Sequence, residues 1–205
     1  MKHKKLKYEL NVKGFEYINK TREYLDYLET HLSNVALAFE EVSKACDGMV
    51  WVGDDASWFG IRKEIEEHDL SKFSKYEFVQ YRQKFFPVKD EVAFKKNWNK
   101  AWKHHLLCNN HHWQSIRYNV NLTGQTEHDI VHMVIDWTAM SYEFGGSAES
   151  YYEKNKDTIK IQSKFEPFLY EIFDRIKKKQ YKHDEYTTKE LFFKKLNNIY
   201  KAITN

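Results

Sequence analysis

The chain has 205 residues, 41% of them hydrophobic and 31% charged, which is enough apolar surface for one core and too much for a disordered tail. Aromatic residues reach 17% against only 7 Gly and 2 Pro, which excludes collagen-like and low-complexity classes and argues against a turn-dense β-sandwich. The formal charge of +3 is too small to imply nucleic acid, the 2 cysteines cannot form a disulfide framework, and no apolar run reaches bilayer length. A soluble, cytoplasmic, single-domain protein without membrane attachment is expected.

Helical periodicity dominates the pattern. From Thr21 to Cys46, apolar residues recur mostly three or four apart, at Tyr24, Leu28, Leu32, Val35, Phe39 and Val42, and Asp47–Gly48 supplies a stop. Met49–Gly60 reads as a strand or loop. Ile61–Asp69 predicts a helix, and Ser71 or Ser74 is a candidate cap for another over Tyr76–Phe85, ended by Pro87. A helix over Asp90–Leu107 runs to Asn109–Asn110, which break or bend the chain. Leu122–Gly124 reads as a turn, and Thr126 caps a helix from Glu127 to about Phe144 that Gly145–Gly146 terminate. Ser147–Lys156, Lys164–Lys179 and Thr188–Ile203 complete an all-α bundle, with no internal repeat and no Pro- or Ser-rich linker.

Seven of the 10 histidines fall between His68 and His132, in company with aspartate. Neutral imidazole and carboxylate suit a divalent transition metal such as Mn, Fe, Ni, Co or Zn. His128, His132 and Asp136 recur every four residues and share one helix face. An unbroken helix over Ala101–Trp113 pairs His105 with His112 and His104 with His111, whereas a bend at Asn109–Asn110 turns His111 and His112 inward together. A single buried histidine is more often a packing residue than a ligand. So many imidazoles in Trp-flanked helices, however, leave unsatisfied polar groups unless they share a partner.

The strings Tyr27-x-x-x-His31-x-x-Asn34-Val35, His68-Asp69-Leu70-Ser71-Lys72-Phe73-Ser74, Ala101-Trp102 followed by Asn109-x-His111-His112-Trp113-Gln114, and Asp136-Trp137-x-Ala139-Met140 resemble an uncharacterised phage and bacterial domain family. The resemblance runs on through Phe144-Gly145-Gly146 and Tyr152–Ile159, from about Tyr24 to Ile161. A more distant resemblance is to the HD-domain metal-dependent phosphohydrolases, whose order of early His, His–Asp pair, further His and late Asp is matched by His31, His68–Asp69, His105 with His111–His112, and Asp136. Two positions depart from the uncharacterised family's pattern: Leu107 stands where it usually has His, and His132 where it tends to have Glu.

The resemblance implies an HD-domain-like helical bundle, expected over residues 21–176 after an N-terminal extension at 1–20, while the Lys/Tyr-rich segment Lys177–Tyr186 marks off a basic C-terminal helix at 177–205 packed on or beside it. It further implies one ion on His31, His68, Asp69 and Asp136, and a second on His105 with His111 or His112, bridged by Asp69. His104 and His132 are secondary candidates. Asp69 is the implied catalytic carboxylate, and Lys72, with Arg82 or Lys103, is the implied contact for substrate phosphoryl oxygens. The implied reaction is hydrolysis of a nucleotide or other small phosphoester. Two alternatives stay open: a di-iron oxygenase on the same site, and a non-catalytic, phage-encoded binding protein holding a structural metal. Trp98, Trp102, Trp113 and Trp137 could stack a base or fill the core. The lysine-rich ends are a weak indication of nucleic acid, and Cys108 alone is a weak zinc signal. Oligomeric state is not encoded in any feature of the chain.

Overall fold

The first helix, α1 (Val12–Ala45), buries Tyr24, Leu28, His31, Val35, Ala38 and Val42. Their spacing alternates four and three residues, the narrow seam of a helix packed along its length. One slot of that seam holds an imidazole in place of a methyl group. This computed structural model describes residues 12–49, 58–92, 95–115, 122 and 124–178. Beyond α1 it contains α2 (Trp58–Glu66), α3 (Phe78–Phe85), α4 (Lys95–Cys108), α5 (Glu127–Phe144), α6 (Ala148–Asn155) and α7 (Glu166–Lys178). Short 3-10 helices span Leu70–Phe73 and Ser163–Phe165, and no strand occurs among the described residues. The fold class is all-α, as the periodicity implies.

Helix α5 is the centre of the bundle. Every residue from Asp129 to Ala139 is buried, the condition for a helix packed on all sides. Its start is written locally: the Thr126 hydroxyl accepts from the Asp129 N–H while the Asp129 carboxylate accepts from the Thr126 N–H, a reciprocal capping box. Its end falls at Gly145 and Gly146, with φ of +79° and +84°, a region closed to most side chains but open to glycine. A second capping box between Ser147 and Ser150 then starts α6. Around α5 lie Val35, Ala38 and Val42 of α1, Ile61 of α2, Tyr152 of α6, and Leu169, Ile172 and Phe173 of α7. Each fully buried aliphatic side chain there is worth about 1.5–3 kcal/mol.

A separate aromatic core sits nearer the N-terminal half of α1. Tyr24, Leu28, Tyr81 and Ala101 are buried there against Tyr27, Phe78, Phe86, Trp98 and Trp102. His31 lies along α1 between the residues that serve this core and those that serve the α5 core. The junction between the two cores is where the polar cluster is found.

Local differences from the sequence expectation have simple causes. Helix α1 starts at Val12 rather than Thr21; residues 12–20 are mostly exposed, and the buried seam of the helix begins only at Tyr24. Trp58–Gly60 open α2 instead of extending a strand or loop. Neither Ser71 nor Ser74 caps α3: Glu77 stands at its N-cap and makes no side-chain bond to the helix's own N–H groups, and the Ser74 hydroxyl accepts from the Tyr76 N–H. The helix expected over Thr188–Ile203 lies outside the described residues. No helix among the described residues is long and apolar enough to cross a membrane.

Candidate metal centre

Asp69 is the hub. It closes the turn after α2 with φ of +59° and ψ of +12°, a left-handed conformation that a non-glycine residue adopts at a cost of about 1–3 kcal/mol. The turn aims its carboxylate into the junction of the two cores, where Asp69 is 2% exposed. Its two oxygens face different partners. Oδ2 lies 3.3 Å from His31 Nε2 and 3.5 Å from His68 Nε2. Oδ1 lies 3.4 Å from His105 Nε2 and 3.5 Å from His111 Nε2, and it is buried without any hydrogen-bond partner.

The cluster therefore has two halves. In the first, His31 of α1 and His68 of the α2 turn meet Asp136 of α5, whose Oδ1 is 3.6 Å from His31 Nε2 and 3.8 Å from His68 Nε2. In the second, His105 of α4 meets His111 and His112 around Asp69, with donor atoms close enough to share one ion. Helix α4 ends at Cys108, and the bend at Asn109–Asn110 turns both His111 and His112 inward. His105 Nε2 lies 2.8 Å from His112 Nε2.

Two carboxylates behind the imidazoles fix which nitrogen is free. Glu77 accepts from His105 Nδ1 at 2.9 Å and from His104 Nδ1 at 2.6 Å. Glu64 accepts from His132 Nδ1 and His128 Nδ1, each at 3.0 Å. His132 Nε2 is then the acceptor for His68 Nδ1 at 3.0 Å. Both His68 and His105 thus spend their proton on Nδ1 and present a bare Nε2 lone pair to the centre. A bare lone pair 3.2 Å from His31 Nε2, and another 2.8 Å from His112 Nε2, need a proton or a cation between them. Taken with the orphaned Asp69 Oδ1, the donor set fits one or two divalent ions.

Electrostatics agree with that fit. Burial and the neighbouring imidazoles hold His68 and His111 well below the ordinary histidine value, and burial with His105 pushes His112 down to about 3. All three are neutral, ligand-ready rings at physiological pH. Burial alone raises a carboxyl, and in Asp136 it does so. In Asp69 the adjacent Lys72 ammonium and His68 outweigh burial and hold the group well below its usual range. Lys72 Nζ is 2.6 Å from Asp69 Oδ2. Burial works against its charge, but the Asp69 anion wins and raises it.

The cluster forms the floor of a cavity of about 610 Å³, within the usual size range of small-molecule sites. His31, Asp69, Lys72, His111, His112 and Asp136 line its base, and Tyr27, Trp102, Trp113, Trp137 and Tyr151 its walls. An apolar recess bounded by Tyr81, Phe85, Phe86 and Trp98 adjoins it and shares Lys72, Trp102 and His112. Of the four tryptophans considered from sequence, three therefore wall the cavity and Trp98 faces the recess.

His31, His68, Asp69, His105, His111, His112, Asp136 and Lys72 lie together in this one cluster. His132 stands behind His68, and His104 behind Glu77. Two residues named for phosphoryl contact are elsewhere. Arg82 is buried in a double ion pair with Glu91, Nη2 to Oε1 at 2.6 Å, and Lys103 is an exposed residue of α4 that does not line the cavity. The Arg82 guanidinium in turn pulls Glu91 down to about 2. Replacing Arg82 with methionine is expected to cost about 1–3 kcal/mol in urea unfolding, because the half-buried Glu91 carboxylate loses its partner. Metal content should not change.

Sequence reasoning missed Glu64 and Glu77, which look like ordinary helix acids. The one available signal was Glu77 between Tyr76 and Phe78, a carboxylate in an aromatic run. Glu64→Gln is expected to weaken metal binding about 10–100-fold in a chelator competition, since the amide no longer orients His132 and, through it, His68. An affinity within twofold of wild type would refute that role.

No curated protein and no solved structure matches the chain. The span from His31 to Asp136 lies inside the region that has a family match. Residues 20–179, more than half of the chain, match a family of unknown function, DUF5662, and the protein belongs to that family.

Proposed function

We propose that this protein is a metal-dependent phosphohydrolase with a dinuclear His/Asp centre, acting on a small phosphoester such as a nucleotide. The observation that carries the reading is Asp69, whose oxygens face two separate imidazole groups on the floor of an open aromatic cavity. His31, His68 and Asp136 with Asp69 Oδ2 would hold one ion, and His105, His111 and His112 with Asp69 Oδ1 the other. Bound there, divalent ions supply Lewis acidity and bring the pKa of a coordinated water close to neutrality.

The chain's own residues supply the rest. Lys72 lines the cavity beside Asp69 and is the cation placed to neutralise charge on phosphoryl oxygens. Trp102, Trp113 and Trp137 exclude bulk water and pack the organic part of the ester, a base included. An open cavity above the donors argues against a closed structural site, which keeps no free position.

Elemental analysis of the purified protein, followed by screens of phosphomonoesters and phosphodiesters with Mn, Fe, Co, Ni or Mg, tests the reading. Two ions per chain and turnover lost together in His68→Ala are expected. A His-rich dinuclear site with a bridging carboxylate also accommodates two irons, which makes a di-iron oxygenase the rival reading. Two irons, oxygen uptake and no phosphoester turnover would decide for that rival.

A further inference from the structure

Apart from the Asp69 cluster, one further group of metal-ligating side chains converges near the surface among the described residues. Helix α4 places His104 and Cys108 four residues apart, on one face, and Glu77 reaches them from the N-cap of α3. His104 Nδ1 is 2.6 Å from Glu77 Oε1, and Cys108 Sγ is 3.8 Å from both ring nitrogens of His104. Bonds of about 2.0–2.1 Å to nitrogen or oxygen and about 2.3 Å to sulfur, in a tetrahedron, put the donors about 3.3–3.6 Å apart. The His104–Glu77 and His104–Cys108 separations fall on either side of that range, and all three donors lie within 4.8 Å of one another, so a side-chain adjustment closes the site.

The chemistry of the three donors is complementary. Cys108 is exposed, His104 partly so, and Glu77 is fully buried, so an ion has access from solvent and an anchored carboxylate beneath it. A thiolate in the set selects soft or borderline ions over Mg²⁺ and Ca²⁺.

We infer that Glu77, His104 and Cys108 form a third cation site, accessible from solvent and specific for a thiophilic divalent ion such as Zn²⁺ or Cd²⁺. On binding, the Cys108 thiol releases its proton to solvent as the sulfur–metal bond forms, and water completes the coordination. The site does not depend on what reaction the Asp69 cluster performs.

The full-length chain, reduced and freed of metal by chelator dialysis, is titrated with Cd²⁺ and followed by the ultraviolet thiolate-to-cadmium charge-transfer band. One equivalent of band is expected in the wild type and in Cys46→Ser, whose cysteine is buried in the core. It is expected to vanish in Cys108→Ser and to need a much higher Cd²⁺ concentration in His104→Ala. In parallel, Zn²⁺ at about ten times its dissociation constant should slow iodoacetamide alkylation of Cys108 about tenfold, by mass action. Absence of the band in reduced wild type, its survival in Cys108→Ser, or alkylation unaffected by Zn²⁺ would each overturn the inference. None of these readouts uses catalysis, so failure of the hydrolase reading leaves this result intact.

Discussion

Asp69→Asn is expected to empty both halves of the metal centre at once. An amide is uncharged and offers one oxygen where the carboxylate offers two, so neither imidazole group keeps its share of the bridge. Metal content should fall from two ions per chain to fewer than one. Losing several kcal/mol of charge stabilisation at the reaction centre, about 4 kcal/mol, lowers turnover about a thousandfold. The metal-free variant should also unfold at lower urea. Lys72, 2.6 Å from Asp69 Oδ2, is left as a buried charge without its counter-ion, at a cost of about 3–5 kcal/mol. Full metal content with turnover within tenfold of wild type would remove Asp69 from the centre of the scheme.

Acid should unfold the metal-free protein at unusually mild pH. His68, His111 and His112 are all held below the ordinary histidine value of 6.5 by burial and by one another, His112 at about 3. Between those lowered values and 6.5 the unfolded chain binds protons that the folded chain refuses. Stability is therefore fully present above about pH 6.5 and is lost as pH falls towards 3. Each refused proton costs about 1.4 kcal/mol per pH unit, and three together cost about 4 kcal/mol per unit. Asp69, also lowered, contributes in the same direction, but only below the ordinary aspartate value of 3.8. Asp136 is raised and acts oppositely: its buried charge costs stability at neutral pH, and that cost is relieved as pH falls.

Measured after chelation, the urea midpoint should drop steeply between pH 7 and pH 5. A typical reserve of about 5–15 kcal/mol does not survive much beyond that. Loading with metal should move the loss to lower pH, because ions and protons compete for the same nitrogens. A midpoint that stays flat down to pH 5 would mean these rings are not buried in their neutral form.

Both outcomes follow from a polar cluster lodged where two hydrophobic cores meet, and parts of that cluster are visible in the chain itself. His31 occupies a slot in the α1 seam that its neighbours fill with Leu28 and Val35. Asp136 sits in a run of helix otherwise fit only for burial. The limits of α5 are legible to the residue because Thr126, Asp129 and Gly145 act within one turn of the ends they define. Helix α1 was read too short: its first turns are mostly exposed, and its buried seam begins only at Tyr24.

Other features depend on partners far along the chain. Glu64 matters through His132 and Glu77 through His105, and neither pairing leaves a trace in local spacing. Arg82 looked available for phosphate until the fold supplied Glu91 as its partner. For His111 and His112, sequence left open whether a helix continues past Cys108 or bends. The bend at Asn109–Asn110 decided it, and with it whether one ring or both could reach Asp69.

The amino-acid order alone determined an all-helical fold, the position of its central helix and a stretch of chain rich in histidine and aspartate. Each of these is set by periodicity, capping and composition, which operate over a few residues. The tertiary structure decided that Asp69 stands between two imidazole groups, which carboxylates orient the rings, and that the donors lie under an open aromatic cavity. Those are distances between atoms brought together by packing, and a hydrogen bond or a coordination sphere is made or lost over about an ångström.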